Sequence, residues 1–187
     1  MPSAKIVKRF EIVGKKIVFR YPRANDLKGL LELVNAIVDD KAMVSSQAKK
    51  TKKEERMWLL SILKNTKKKE GVYLIVEMSG KIVGNAAVER HKESAKKHVG
   101  VFGIMLRKEA RGKGIGEKLL RCVIEEAKKV LKVKIVTLEV MKSNKVALHL
   151  YRKCGFKVIG TIKSGVKYYN RYEDDILMKL SVAEVRD

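Results

Sequence analysis

Residues 107–120, RKEARGKGIGEKLL, carry the clearest chemistry in the chain: Gly112, Gly114 and Gly116 stand among Arg107, Lys108, Arg111, Lys113 and Lys118. An apolar run, GVFGIML, leads into them, and a helical pattern follows. Glycine opens backbone conformations closed to other residues and lets a ligand approach the main chain. At a helix start, unpaired amides and the helix dipole favour anions. Consecutive N–H groups can also form a concave nest for phosphate oxygens. The stretch therefore reads as a phosphate cradle, with positive charge added by Arg111 and Lys113. It is not a Walker A loop, because no Gly-Lys-Ser/Thr closes it, and the sheet order around it is wrong for a dinucleotide-binding GxGxxG. Taken alone, the stretch has a second reading, a glycine-rich turn with incidental basic residues.

The elements that must position this turn follow from periodicity. FEIVGKKIVFRYPR reads as two short strands around Gly14-Lys15. ANDLKGLLELVNAIVDD repeats Leu27, Leu30, Leu31, Val34, Ile37 and Val38 at helical spacing, with Asn25 or Asp26 available as its cap. SSQAKKTKKEERMWLLSILKNTKKKE is a second helical region with an apolar centre from Met57 to Leu63. GVYLIVEMSGKIVGNAAVER gives two strands joined by a Ser79-Gly80 turn, and KKHVGVFGIML gives a third beside them. Then come a helix from about 114 to 131, the strand KIVTLEV, the helix SNKVALHLYRKC, and the strands GFKVIGTIK and RYEDDILMKL. No repeat or linker interrupts this order. It predicts an α/β fold, a mixed, mostly antiparallel twisted sheet flanked by about four helices.

A chain of 187 residues with 45% hydrophobic residues suits one folded domain. No apolar run approaches the roughly 20 residues of a membrane-spanning helix, and the N-terminal MPSAKIVKRFEIVGKK lacks a signal-type segment. The expectation is a cytoplasmic protein with no membrane partner. Cys122 and Cys154 lack metal spacing and cannot build a disulfide framework. Cys122 lies among apolar helix positions and is expected as a buried structural thiol. His91, His98 and His149 form no metal-binding pattern, so no metal is expected. The net charge of +22 has two readings. One is a footprint for nucleic acid, the ribosome or anionic ligands. The other is a solvated lysine-rich surface.

RGKGIG, residues 111–116, resembles the Arg/Gln-x-x-Gly-x-Gly/Ala signature of the GNAT superfamily of acyl-CoA-dependent N-acetyltransferases. Downstream, LEVMKSNKVALHLYRKCGF resembles that superfamily's second signature through Asn144, Ala147, Tyr151, Gly155 and Phe156. A helix separates the two, and the element order from about 16 to 181 fits one N-acetyltransferase domain spanning 1–187. Lys108 stands where many members carry proline. The resemblance implies acetyl-CoA as co-substrate. Its pyrophosphate would meet the amides of Arg111, Gly112, Lys113, Gly114, Ile115 and Gly116. Its pantetheine arm would pair like an added strand with the backbone of Ile104, Met105 and Leu106, where neighbouring strands splay, often at a bulge. Asn144 would contact the arm.

The resemblance also assigns the chemistry. A lysine ammonium titrates near 10.4 and an α-amine at about 7.7–8.0, so a base helps deliver neutral amine to the thioester. The departing thiolate benefits from a proton donor, and a strand N–H can polarise the thioester carbonyl. Tyr151 matches the family's general acid. Glu139 is placed like the base of ribosomal-protein alanine N-acetyltransferases, with Glu89 or water as alternatives. The expected acceptor is a primary amine, a protein N-terminus or lysine, with a polyamine or small amine as the alternative. It would enter beside KSGVKYYNRYEDD, read as a loop, whose Tyr168, Tyr169, Tyr172, Glu173, Asp174 and Asp175 could receive it. The rival class is a noncatalytic acetyl-CoA-binding module with a basic nucleic-acid or ribosome surface. A homodimer is compatible with either.

Overall fold

The computed structural model describes residues 5–44 and 46–182. The chain opens with a hairpin, β1 (Ile6–Ile12) and β2 (Lys15–Arg20), followed by helices α1 (Leu27–Asp39) and α2 (Lys52–Lys67). A second hairpin, β3 (Gly71–Met78) and β4 (Lys81–Arg90), turns at Ser79-Gly80, both at positive φ. Then come β5 (Val99–Leu106), α3 (Ile115–Leu131), β6 (Ile135–Met141), α4 (Lys145–Lys153), β7 (Lys157–Tyr168) and β8 (Arg171–Ser181). The strands form one sheet in the order β1-β2-β3-β4-β5-β6-β8-β7. Only β5 and β6 run parallel; every other neighbouring pair is antiparallel. Among the described residues no helix is long and apolar enough to cross a membrane.

Alternation along the strands splits the core into two layers. On β3, Val72, Leu74 and Val76 face the side that α3 and α4 cover, while Tyr73 and Ile75 face α1 and α2. Both faces are buried, which explains why this strand reads as a nearly continuous apolar run. On α3, Ile115, Leu119, Val123, Ala127 and Leu131 recur at helical spacing and are buried. On α2, Leu59 and Ile62 are buried while Met57 and Leu60 point outward.

The structure corrects three local expectations. The second helix begins at Lys52, where Thr51 and Glu54 close a reciprocal capping box; residues 46–50 are not helical, and Ser45 lies outside the described residues. Asp26 precedes α1 but does not cap it, because its carboxylate accepts from the Arg23 N–H at 2.7 Å and from Arg20. Cys122 is half-buried on α3 rather than buried.

Arg20 is the most demanding group in the core. It is only 2% exposed. It donates to both oxygens of Asp26, at 2.8 and 2.7 Å, and through Nε to Glu77 of β3 at 2.8 Å. The pairing ties the β2 exit and the start of α1 to the sheet centre. Removing one member of a buried charge cluster leaves the others uncompensated. Arg20→Met is therefore expected to lose ~3–5 kcal/mol in urea denaturation. A loss below about 1 kcal/mol would mean that Asp26 and Glu77 find other partners.

Candidate active site

The glycine turn follows β5 through a short 3-10 turn, Lys108–Ala110. Gly112 and Gly114 have φ of 70° and 71°, a backbone region that side chains rarely adopt. A Cβ added at either would meet nothing within 4 Å, so the space beside them is free for a ligand. Gly114 is the N-cap of α3. Among the described residues, the N–H groups from Gly112 to Glu117 find no acceptor, and the ladder begins when the Lys118 N–H reaches the Gly114 carbonyl at 3.2 Å. Six successive free donors at the head of a long helix fit a diphosphate. Arg111 and Lys113 are less free than their charges suggest. Arg111 Nε donates to the Leu106 carbonyl at 2.8 Å, and Lys113 Nζ donates to the Glu109 carbonyl at 2.8 Å.

The strand before the turn is half unpaired. β5 pairs with β6 only at Val99, Gly100 and Val101, and beyond these the two strands part. The β4–β5 ladder runs without a register shift from Gly84 to Arg90, so the splay does not arise from a bulge there. Hydrogen-bonded pairs bracket that ladder, His91 N–H to the Val99 carbonyl and Arg107 N–H to the Val83 carbonyl. Because such pairs alternate, Phe102, Ile104 and Leu106 turn their peptide groups toward the gap. Met105 turns its own toward Asn85 and reaches the gap with its side chain. Of the three residues expected to pair with the arm, Ile104 has both backbone groups available, and Leu106 retains its N–H.

A cleft of 410 Å³ opens where the strands part. Tyr151, Glu139, Glu89 and Asn144 all line it, so the structure brings every candidate acid and base together. Tyr151 is buried, with its ring edge-on to Phe102 at 5.9 Å and tilted against Phe156 at 6.0 Å. Burial pushes its phenol up to about 12, so it is a fully protonated donor at neutral pH. Glu139 is exposed on β6. Asn144 caps α4, its carbonyl oxygen accepting from the Ala147 N–H at 3.1 Å, which leaves its amide nitrogen for a ligand. Met43, Trp58 and Asn85 complete the wall. No motif flags these; the only trace in the sequence is a lone tryptophan and an asparagine within an apolar strand. A larger cavity, 610 Å³, lies between β1 and α3; it shares no lining residue with the cleft and meets the free amides only at Gly114 and Glu117. Chemistry rather than size selects the site. Among the described residues, no group of three or more His, Cys, Asp or Glu could hold a metal ion.

Comparison with known proteins gives the family. The acetyltransferase (GNAT) family matches residues 34–156. The chain belongs to this family. An L-amino acid N-acetyltransferase of Escherichia coli is 29% identical over 105 residues, 56% of this chain and 65% of that protein, just under two thirds of its length. An N-alpha-acetyltransferase of Sulfurisphaera tokodaii is 29% identical over 124 residues, 62% of this chain and 72% of that protein. The solved ribosomal-protein-alanine N-acetyltransferase of Brucella melitensis has a TM-score of 0.78 at 25% identity, covering 88% of this chain and 99% of that one. More distant chains of the same fold were solved with acetyl-CoA bound. The protein is an acetyl-CoA-dependent N-acetyltransferase.

In this GNAT chain the segment read as an acceptor loop is an extended hairpin. β7 runs to Tyr168 and β8 starts at Arg171, with a register shift between Ile162 and Val166. The Tyr168 hydroxyl donates to the Lys41 carbonyl, and Tyr169 stacks edge-on against Tyr168 at 4.8 Å. Gln47 bonds the Lys167 carbonyl and the Tyr169 N–H, both at 2.6 Å. These tyrosines clamp the hairpin tip to the α1–α2 connection. Tyr172 is exposed, and Glu173 pairs with Arg171 at 2.9 Å. Of the six residues, Asp175 alone lines the cleft; it is buried, and burial raises its carboxyl against the opposing pull of the Val140 backbone. Asp174 accepts from Ser164 N–H, Lys142 and Lys163, which hold its carboxyl down at about 2, against an ordinary 3.8. A depressed folded value means stability that is present above the unfolded value and lost as pH falls toward the folded one. The melting-temperature gap between the wild-type protein and Asp174→Asn is therefore expected to be full above about pH 4 and to close toward about pH 2. A gap independent of pH would contradict the ion-pair assignment.

Proposed function

We propose that this acetyltransferase acts on the α-amine of a protein or peptide N-terminus, with a lysine side chain as the other protein amine of the same chemistry. One observation carries the reading. In a chain of net charge +22, the cleft is lined by Glu89, Glu139 and Asp175 and by no lysine or arginine. Such a cleft attracts and orients an ammonium group. The names of the Sulfurisphaera and Brucella relatives support an N-terminal acceptor. The name of the Escherichia relative supports a free amino acid as the second reading.

In this reading the free amides from Gly112 to Glu117 bind the diphosphate of acetyl-CoA. The unpaired edge of β5 at Ile104 and Leu106 receives the arm, and Asn144 contributes its amide nitrogen. An outward Ile104 N–H polarises the thioester carbonyl. Glu139, directly or through water, takes a proton from the acceptor ammonium. The neutral nitrogen attacks the carbonyl carbon, and the N–C bond forms. As the C–S bond breaks, its electron pair goes to sulfur, and Tyr151 supplies the proton. The nitrogen then sheds a proton that restores the phenol. The products are the amide and free thiol.

Tyr151→Phe is expected to lower kcat about 10²-fold, at the low end for a general acid, with little change in the KM for acetyl-CoA. Glu139→Gln is expected to lower kcat/KM most near pH 6 and to recover partly near pH 10, where free amine is abundant. Both are read with a peptide acceptor across that range, with Asp175→Asn as comparator. Asp175, the carboxyl that burial raises, becomes the base if its variant shows the pH-dependent loss and Glu139→Gln does not. Full activity of Tyr151→Phe removes the general-acid role.

A further inference from the structure

A second cavity, 320 Å³, lies between α1 and α2, beside the cleft. Trp58, Asn85 and Met105 line both. Its inner wall is apolar, from Leu30, Leu33 and Val34 of α1. Into this apolar wall is set Glu55, 5% exposed. On α2 it occupies the inward position that Leu59 and Ile62 continue at i+4 and i+7. A leucine there would extend the core, so a carboxylate is a local departure from the pattern that builds the helix. Among the described residues it accepts no hydrogen bond and forms no ion pair. Lys50 lines the same cavity and acts on the carboxyl from a distance, but it is not paired with it. A carboxylate on a side chain this buried, without a partner, is costly, and a cation supplied by a ligand would offset that cost. The Ser46 hydroxyl, also on this wall, is buried without a partner.

We infer that this cavity binds a second positive charge carried by the amine acceptor, with Glu55 as its counter-ion. The inference rests on the acyl-transfer reading above. An acceptor whose reacting amine lies among Glu139, Asp175 and Tyr151 extends past Asn85 and Met105 into the cavity. There Glu55 takes the distal ammonium or guanidinium, Ser46 offers a hydroxyl oxygen, and the Trp58 indole offers an aromatic face to the cation. The stems of such side chains are aliphatic and match the α1 wall. The substrate class is a primary amine bearing a second cation one side chain away, such as a peptide with a basic first residue or a free diamino compound.

The test uses matched acceptors at one pH, with acetyl-CoA saturating. Lysinamide is compared with norleucinamide, and Lys-Ala-Ala with Nle-Ala-Ala, with acetylation read by mass spectrometry at the α-amine alone, so that each pair compares the same acceptor group with and without the distal charge. The dicationic member is expected to have the higher kcat/KM by about ten- to a hundredfold, the range of one charge-assisted hydrogen bond, and chiefly through KM. Glu55→Gln, with folding checked by its melting curve, is expected to bring that ratio to about one. Preference within the peptide pair alone identifies a peptide N-terminus as the source, and preference within both pairs includes small diamines. Equal use of each pair by the wild-type protein overturns the second-cation site while leaving N-acetyl transfer intact. So does a preference that survives Glu55→Gln. Acetylation of no acceptor by a protein that binds acetyl-CoA takes down both this inference and the reading beneath it.

Discussion

Everything in the site depends on two parallel strands that part company. β5 and β6 share three residue pairs and then diverge, while β4 and β8 hold their outer edges in regular antiparallel register. A sheet that closed fully would bury the peptide groups of Phe102, Ile104 and Leu106 in its own ladder. The divergence exposes that edge and opens the cleft in one step. It also admits Tyr151, whose ring wedges against Phe102 and Phe156 beneath the gap. The glycine turn follows the same strand after the short turn at Lys108–Ala110, so the free edge of β5 and the free amides at the head of α3 lie in succession. Two groups of unpaired backbone donors result, and a long, thin, anionic co-substrate fits them in turn.

The second organising feature is where negative charge survives in a cationic chain. Lysines and arginines outnumber acids, 43 to 21, yet among the described residues none lines the cleft. Elsewhere acids are consumed by ion pairs: Asp26 and Glu77 by Arg20, Asp174 by Lys142 and Lys163, Glu117 by Arg121 and Lys153. Among the acids of the described residues that form no ion pair, Glu89, Glu139 and Asp175 line the cleft and Glu54 and Glu55 the adjoining cavity. Surface charge of one sign draws anions to the outside, and low-dielectric walls lined by the other sign focus cations within. In the proposed reading the two substrates thus meet opposite fields, an anionic co-substrate at the basic turn and a cationic acceptor at the acidic cleft.

Much of this was legible in sequence because it is local. A glycine at positive φ, a helix start and an apolar period are written in adjacent residues, so the turn, the helices and the succession of elements along the chain could be read directly, while the order of strands within the sheet could not. Glu139, Tyr151 and Asn144 were reachable because the signature that carries them spans one strand and one helix. What escaped depends on register and distance. Only the pairing phase of β4 and β5 decides that Ile104 and Leu106, and not Met105, face the gap. Tyr168 and Tyr169 sit in an acid-rich, aromatic stretch that suggested amine binding, but their contacts lie across the chain, on Lys41 and Gln47. Asp174 and Asp175 are neighbours in sequence and fall on opposite faces of β8, one spent on lysines and one open to the cleft. Nothing local singles out Glu55 in the sequence; its burial beside α1 is visible only in the structure.

In the proposed reading acetyl-CoA lies along the free edge of β5 and the amides that follow it. Backbone hydrogen–deuterium exchange with and without acetyl-CoA tests this directly, because it reads the peptide groups themselves. Slowed exchange is expected in peptides covering residues 102–106 and 112–117, with little change at β1 and the part of α3 beyond Lys118 that border the larger cavity. Saturating acetyl-CoA that leaves both segments unchanged while protecting β1 and that part of α3 would contradict it.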